Sequence, residues 1–265
     1  MIDPAPPHKA DETLAAMLTS ELAQMSASDS IIRSELACFE QPLTLVNMTI
    51  SVLSRKLATP SVSVLDLTDT FRELAGTASN LDTIFYRDLR AVVERDPACD
   101  SLTTALLFYK GYHALAVHRF AHILWSNQRR PLARWLQNRS SEVLAVDIHP
   151  AARLGCGIFI DHATGIVIGE TSVVDDDVSL LHEVTLGGTG KQSGDRHPKV
   201  GKGVMIGAGA KILGNITLGE GSKVGAGSVV LRPVPSGCTV VGVPAQVVGK
   251  CCSPAPAQDM DQSVE

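Results

Sequence analysis

Three short stretches carry side chains that could do chemistry. "DHATG" sets Asp161 beside His162 where the surrounding sequence is aliphatic. "VDIH" brings Asp147 and His149 just upstream, and "GGTGKQSGDRHPK" gathers Asp195, Arg196, His197 and Lys199. An imidazole can take and return a proton near neutral pH, and a carboxylate behind it fixes its tautomer and steadies the imidazolium. Asp147 precedes His162 by 15 residues, close to one turn of the repeat described next, so the two could form such a dyad. The same spacing serves a structural Asp–His hydrogen bond equally well. Arg196 offers a planar fork of donors suited to a carboxylate. His118 and His122 have the spacing of helical metal ligands, but without the adjacent Glu of a His-Glu-x-x-His site they read as a helix face or subunit contact.

The element that must position these groups has a period of six. Val200, Ile206, Ile212, Leu218, Val224 and Val230 recur at that interval, which neither a helix nor a simple strand explains. Six residues with an inward aliphatic side chain make one side of a prism, and glycine near the corner permits positive φ. Three sides make a coil, and coils stack at strand spacing, about 4.8 Å, into a parallel β-helix. The repeat continues upstream in a shifted frame through Ile148, Leu154, Ile160, Ile168, Val174, Leu180 and Leu186. The rhythm breaks between Leu186 and Val200, so the Arg196–His197 stretch must leave the coil as a loop, and long excursions from a repeat scaffold usually bind something. Flat prism walls offer few pockets, so sites are expected where the walls of separate subunits meet.

The rest of the chain has another composition. Of 22 glycines, 20 fall between residues 148 and 250, which marks a boundary near Asp147. Upstream the pattern is helical: Leu106, Tyr109, His113, Val117, Phe120 and Leu124 form one face, and Pro131 suits a helix start. The reading is therefore α+β, with residues 1–12 a disordered N-terminus, 13–146 an all-helical domain, 147–250 a β-helix and 251–265 a flexible tail. A formal charge of −5 gives nucleic acid no electrostatic footprint, and no apolar run is long enough to cross a bilayer. The six cysteines form no disulfide framework, and the N-terminus lacks a signal-peptide pattern; both point to reduced thiols and the cytoplasm.

From Asp147 to Lys250 the sequence resembles serine O-acetyltransferases of the hexapeptide-repeat family. "VDIHPAARLG", "DHATGIVIGET", "VTLGGTGKQSGDRHPKVG" and "GVMIGAGAKILGNITLGEG" carry the likeness, and "ERDPACD" extends it weakly into the helical part. The resemblance, not the spacing, implies a left-handed coil, which runs against the usual right-handed crossover. It implies transfer of acetyl from acetyl-CoA to L-serine, the first step of cysteine biosynthesis, with L-cysteine as feedback inhibitor and no metal. Carried over by position, His162 is the base and Asp147 orients it. Asp96 and Asp161 hold the substrate amino group, Arg196 and His197 its carboxylate, and Gly188, Thr189, Ala208 and Ala226 flank the pantetheine arm. The family pattern further implies a trimer of coil domains, paired into a hexamer through the helical domain. Two other readings fit the residues less well. An acetyltransferase for a sugar hydroxyl would not explain Arg196, His197 and Asp96, and a zinc site would take His162, His182 and His197.

Many family members place a C-terminal isoleucine in the active site of O-acetylserine sulfhydrylase. This chain ends in Val264-Glu265, and a second carboxylate where an aliphatic group is buried is costly. A ten-residue peptide with this ending should bind such a sulfhydrylase weakly, and Glu265→Ile should improve it. Submicromolar affinity of the unaltered peptide, measured by titration, would contradict that expectation.

Overall fold

The computed structural model of the chain describes residues 10–37, 39, 43–190, 193–250, 253 and 255–263. Its first part is a helical unit: α1 (Ala10–Ser28), α2 (Ser30–Leu36), α3 (Leu45–Leu57), α4 (Val64–Thr77), α5 (Leu81–Arg95), α6 (Leu102–Phe108), α7 (Lys110–Ser126) and α8 (Arg130–Leu144). Side-chain caps start several of these helices. Thr44 accepts from the Asn47 amide, Ser101 from the Thr104 amide, and Ser63 and Asp66 form a reciprocal box. α7 runs through the middle, buried along most of its length, and Phe120 packs on Phe71 and Phe85 with ring centroids 4.5 and 5.8 Å away. None of these helices is long and apolar enough to cross a membrane.

One helix expected as continuous is two. The stretch 102–126 breaks at Tyr109, whose extended backbone (φ −88°, ψ 103°) ends α6 and begins α7. The break sends α7 hard against the coil: a Cβ on Gly111 would stand 2.0 Å from the Ile160 carbonyl oxygen, so only glycine fits. α1 is a helix that the hydrophobic periodicity does not mark.

The second part is a left-handed parallel β-helix with three walls, its strands numbered in chain order. The first wall stacks β1 (Val146–Ile148), β4 (Ile166–Ile168), β7 (Thr185–Gly187), β10 (Lys211–Leu213) and β13 (Val229–Val230). The second stacks β2 (Arg153–Leu154), β5 (Val173–Val174), β8 (Lys199–Val200) and β11 (Thr217–Leu218). The third stacks β3 (Phe159–Ile160), β6 (Ser179–Leu180), β9 (Met205–Ile206) and β12 (Lys223–Val224), and closes with the hairpin β14 (Cys238–Gly242) and β15 (Ala245–Lys250). The period-six aliphatic residues point inward as expected; all are buried except Leu154, which is half-buried.

The segment expected as a mobile tail is packed where it is described. A short helix, α9 (Pro256–Asp259), lays Ala257 against Leu181 and Met205 of the third wall. Ser179 Oγ donates to the Ala257 carbonyl (2.6 Å), and Lys223 Nζ donates to that of Ser263. This covers outward-facing residues that the coil would otherwise leave in water. The proposed disorder of residues 1–9 and the terminal Val264-Glu265 lie outside the described residues, while residues 10–12 fall within α1. Among the described residues, Cys99, Cys156 and Cys238 are unpaired thiols, and burial pushes that of Cys156 up to about 11.

A buried polar clasp joins the two units. Arg119 on α7 donates to Asp88 on α5 (2.9 Å) and to the carbonyls of Leu154 (2.8 Å) and Gly155 (2.6 Å). The other Asp88 oxygen accepts from the Ile158 amide at 3.0 Å. Both ionic side chains are more than nine-tenths buried, so removing either leaves an uncompensated charge. Asp88→Ala is expected to cost about 3–5 kcal/mol of unfolding free energy, read by denaturant titration. A loss below about 1 kcal/mol would show that the clasp does not join the units.

Candidate active site

The ladder of the third wall decides which side chains share a corner. It pairs Ile160 with Leu180, Leu180 with Ile206, and Ile206 with Val224. Two residues further along each turn come His162, His182, Ala208 and Ala226. These four form a column at the corner between the third and first walls, at steps of about 4.8 Å. The His162 and His182 rings meet edge to face with centroids 5.7 Å apart. His162 and Ala163 turn the corner in the left-handed region (φ 54° and 60°), which non-glycine residues seldom adopt. Its side chain is 74% exposed and its Nε2 lies 3.7 Å from Asp161 Oδ2.

The acids gather beside this column. Burial pushes the Asp161 carboxyl above its ordinary range; His162 opposes the shift, and the Asp96 carboxylate adds to it. Asp96 comes from the helical unit, where it ends α5 and accepts from the Ala98 amide at 2.8 Å. The Tyr109 hydroxyl hydrogen-bonds to Asp96, and burial first, then that contact, raises the phenol's pKa. Asp147 stands elsewhere on the first wall, in register with Val167, and accepts from Gln137 Nε2 of α8 at 2.6 Å. Among the described residues, the carboxylate within 4.0 Å of the His162 imidazole is that of Asp161, not of Asp147.

The second cluster sits at the other end of the first wall. Arg196 donates to Glu170 Oε2 (2.7 Å) and to the Gly194 carbonyl (3.1 Å). The Thr171 hydroxyl oxygen accepts the backbone amides of Arg196 (3.0 Å) and His197 (3.1 Å). His197 Nδ1 accepts from the Thr171 amide (3.1 Å), so in the neutral ring the proton sits on Nε2. Burial first, then the neighbouring Arg196, lowers the His197 pKa and keeps the ring neutral. The ring lies over Gly169, where an added Cβ would meet it at 2.1 Å. Arg196 in turn holds the Glu170 carboxyl below its usual range. Lys199 braces the loop through the carbonyls of Thr171 and His197, both at 2.8 Å, and through Asp195 at 2.5 Å.

One chain therefore carries two separate clusters. His162, Asp161, Asp96, Ala208 and Ala226 stand at one corner. Arg196, His197, Gly188 and Thr189 stand at the other, where a Cβ on Gly188 would lie 3.5 Å from Arg196 Cγ. The wall from Gly165 to Gly169 separates them by about 13 Å at strand rise. The period-six count did not bring out Glu170 or Thr171, whose partners lie 26 and 25 residues on. It did contain His182, a polar candidate two residues after Leu180, but by sequence that residue had no assigned role outside a zinc alternative. Among the described residues, no group of three or more His, Cys, Asp or Glu side chains could hold a metal ion.

Comparison with known proteins now identifies the lineage. A profile described as "Serine acetyltransferase, N-terminal" matches residues 16–117, and "Bacterial transferase hexapeptide (six repeats)" matches 197–232. The serine acetyltransferase of Salmonella typhimurium is 55% identical over 211 residues, covering 80% of this chain and 77% of that one. The chain belongs to the serine acetyltransferase family. A solved serine acetyltransferase in complex with cysteine superposes with a TM-score of 0.92 at 44% identity, over 96% of this chain and 100% of the other. The Brucella abortus enzyme in complex with coenzyme A gives 0.88 at 45% identity, over 91% and 98%. The family is one of acyltransferases, and acetyl-CoA is its cosubstrate.

Proposed function

We propose that this chain acetylates the hydroxyl of L-serine with acetyl-CoA at a site made by two copies, giving O-acetyl-L-serine and CoA. The observation that carries the composite site is the placement of the base column and the Arg196–His197 cluster at opposite ends of one wall. A neighbouring copy, wall against wall in a trimer, brings the missing half to each corner. The helical units then join two trimers into a hexamer.

Serine binds with its ammonium group at Asp96 and Asp161 and its carboxylate on the Arg196 fork, with His197 Nε2–H as a further donor. His162 takes the hydroxyl proton, the alkoxide attacks the thioester carbonyl, and a tetrahedral oxyanion forms. The column supports a role for His182 here. Its Nδ1 is buried with no partner among the described residues, and a buried idle acceptor costs less than a buried idle N–H, so the neutral ring presents Nε2–H. That donor, between the base and the Ala208–Ala226 groove, meets the oxyanion. Collapse of the intermediate expels CoA thiolate, to which His162 returns the proton. Asp147, held by Gln137, steadies the imidazolium once the ring turns from Asp161. The pantetheine arm runs down Ala208 and Ala226, with Gly188 and Thr189 on the facing copy.

L-Cysteine differs from L-serine by sulfur in place of oxygen, so it enters the same pocket and inhibits; the solved relative with cysteine supports this. The setting is cytoplasmic. His162→Ala should lower kcat by about 10²–10⁴-fold while the Kd for CoA stays within a few-fold, with Asp147→Asn costing less. Near-native turnover of the His162 variant would remove the proposed base.

A further inference from the structure

A cavity of about 390 Å³ lies where the helical unit meets the first coil, and none of its lining residues belongs to the candidate active site. Its walls come from the start of α5, from α7 and from β2; Asp96, at the far end of α5, is about 22 Å away along the helix axis. The polar lining is Arg153, Arg119, His118, His122 and Asn80, with no carboxylate among the described residues. Asp88 already neutralises Arg119. Arg153 is different: it is exposed, and its guanidinium has no hydrogen bond or ion pair among the described residues.

A second observation comes from the buried part of the wall. His118 is 3% exposed and, among the described residues, its Nδ1 has no hydrogen-bond partner, nor has Nε of the neighbouring Arg119. His122 Nδ1 donates to the Pro150 carbonyl at 2.8 Å, which fixes the tautomer of that ring. Both unpartnered atoms are sealed from solvent, and Nδ1 of the neutral His118 ring is an acceptor, so the charge that faces the cavity is that of Arg153. The remaining lining, including Ile84 and Leu154, is apolar.

We propose that this cavity is a binding site for a small oxyanion, a carboxylate or a phosphate on a compact body, held by Arg153 between the first coil and α7. An uncompensated guanidinium at the mouth of a cavity without acids attracts such a group, and its fork matches either geometry. The ligand spans both units, so its binding adds to the clasp made by Asp88 and Arg119.

Isothermal titration of the full chain at constant ionic strength, with inorganic phosphate and with hexanoate as separate probes, tests this. Saturable binding of at least one probe is expected, weakened about tenfold or more in Arg153→Ala and in Arg153→Gln, and unchanged in Arg196→Ala. Phosphate alone identifies an inorganic oxyanion, and hexanoate alone a carboxylate with an apolar body; both support the site. Absence of saturable binding by either probe, affinity in both Arg153 variants equal to that of the unaltered chain, or loss in Arg196→Ala would overturn it.

Discussion

In a three-walled coil each strand hydrogen-bonds to its equivalents one turn above and below, and the inward aliphatic side chain must sit over its counterpart. That register propagates to every residue at a fixed offset. Because Ile160, Leu180, Ile206 and Val224 are stacked, the residues two positions on are stacked as well. The ladder therefore places an imidazole, a second imidazole and two alanines in one column without any contact chosen for that purpose. A one-residue slip would turn buried aliphatic side chains outward and dissolve the column together with the core.

What the ladder cannot supply is added from outside it. Asp96 arrives from α5, and its position depends on how the helical unit seats on the first coil. Gly111 lets α7 touch Ile160, and the Asp88–Arg119 clasp satisfies carbonyls and an amide that the corner leaves open. The Arg196 loop is likewise tied back by Thr171, whose hydroxyl oxygen accepts two loop amides. Rigid coil and tethered additions together give two preformed clusters at opposite ends of one wall.

The coil was legible because its aliphatic period is long, unbroken over six repeats and incompatible with helix or flat strand. Its hand was not, since inward spacing is the same for either sense. Tyr109 misled because it fits the three- and four-residue steps of a helix face, while its backbone is set by the approach of α7 to Ile160. The docking of α9 was hidden in a polar, proline-containing tail: the residues that receive it, Ser179, Met205 and Lys223, are outward positions that any repeat would leave to solvent. His162, Arg196 and His197 stood out by type. Glu170 and Thr171 did not, because what matters about them is a partner 25 or 26 residues away. Asp147 shows the limit of counting: 15 residues is not a full turn, and in this structure its carboxylate meets Gln137.

The composite site is tested most directly by mixing two inactive chains, His162→Ala and Arg196→Ala, refolded together at equal ratio. If each site joins one copy's His162 corner to its neighbour's Arg196 corner, random trimers regain about a quarter of the wild-type sites. Activity near that level, absent from either variant alone, is the expected result. No recovery in trimers shown by mass spectrometry to contain both chains would contradict a site shared between copies.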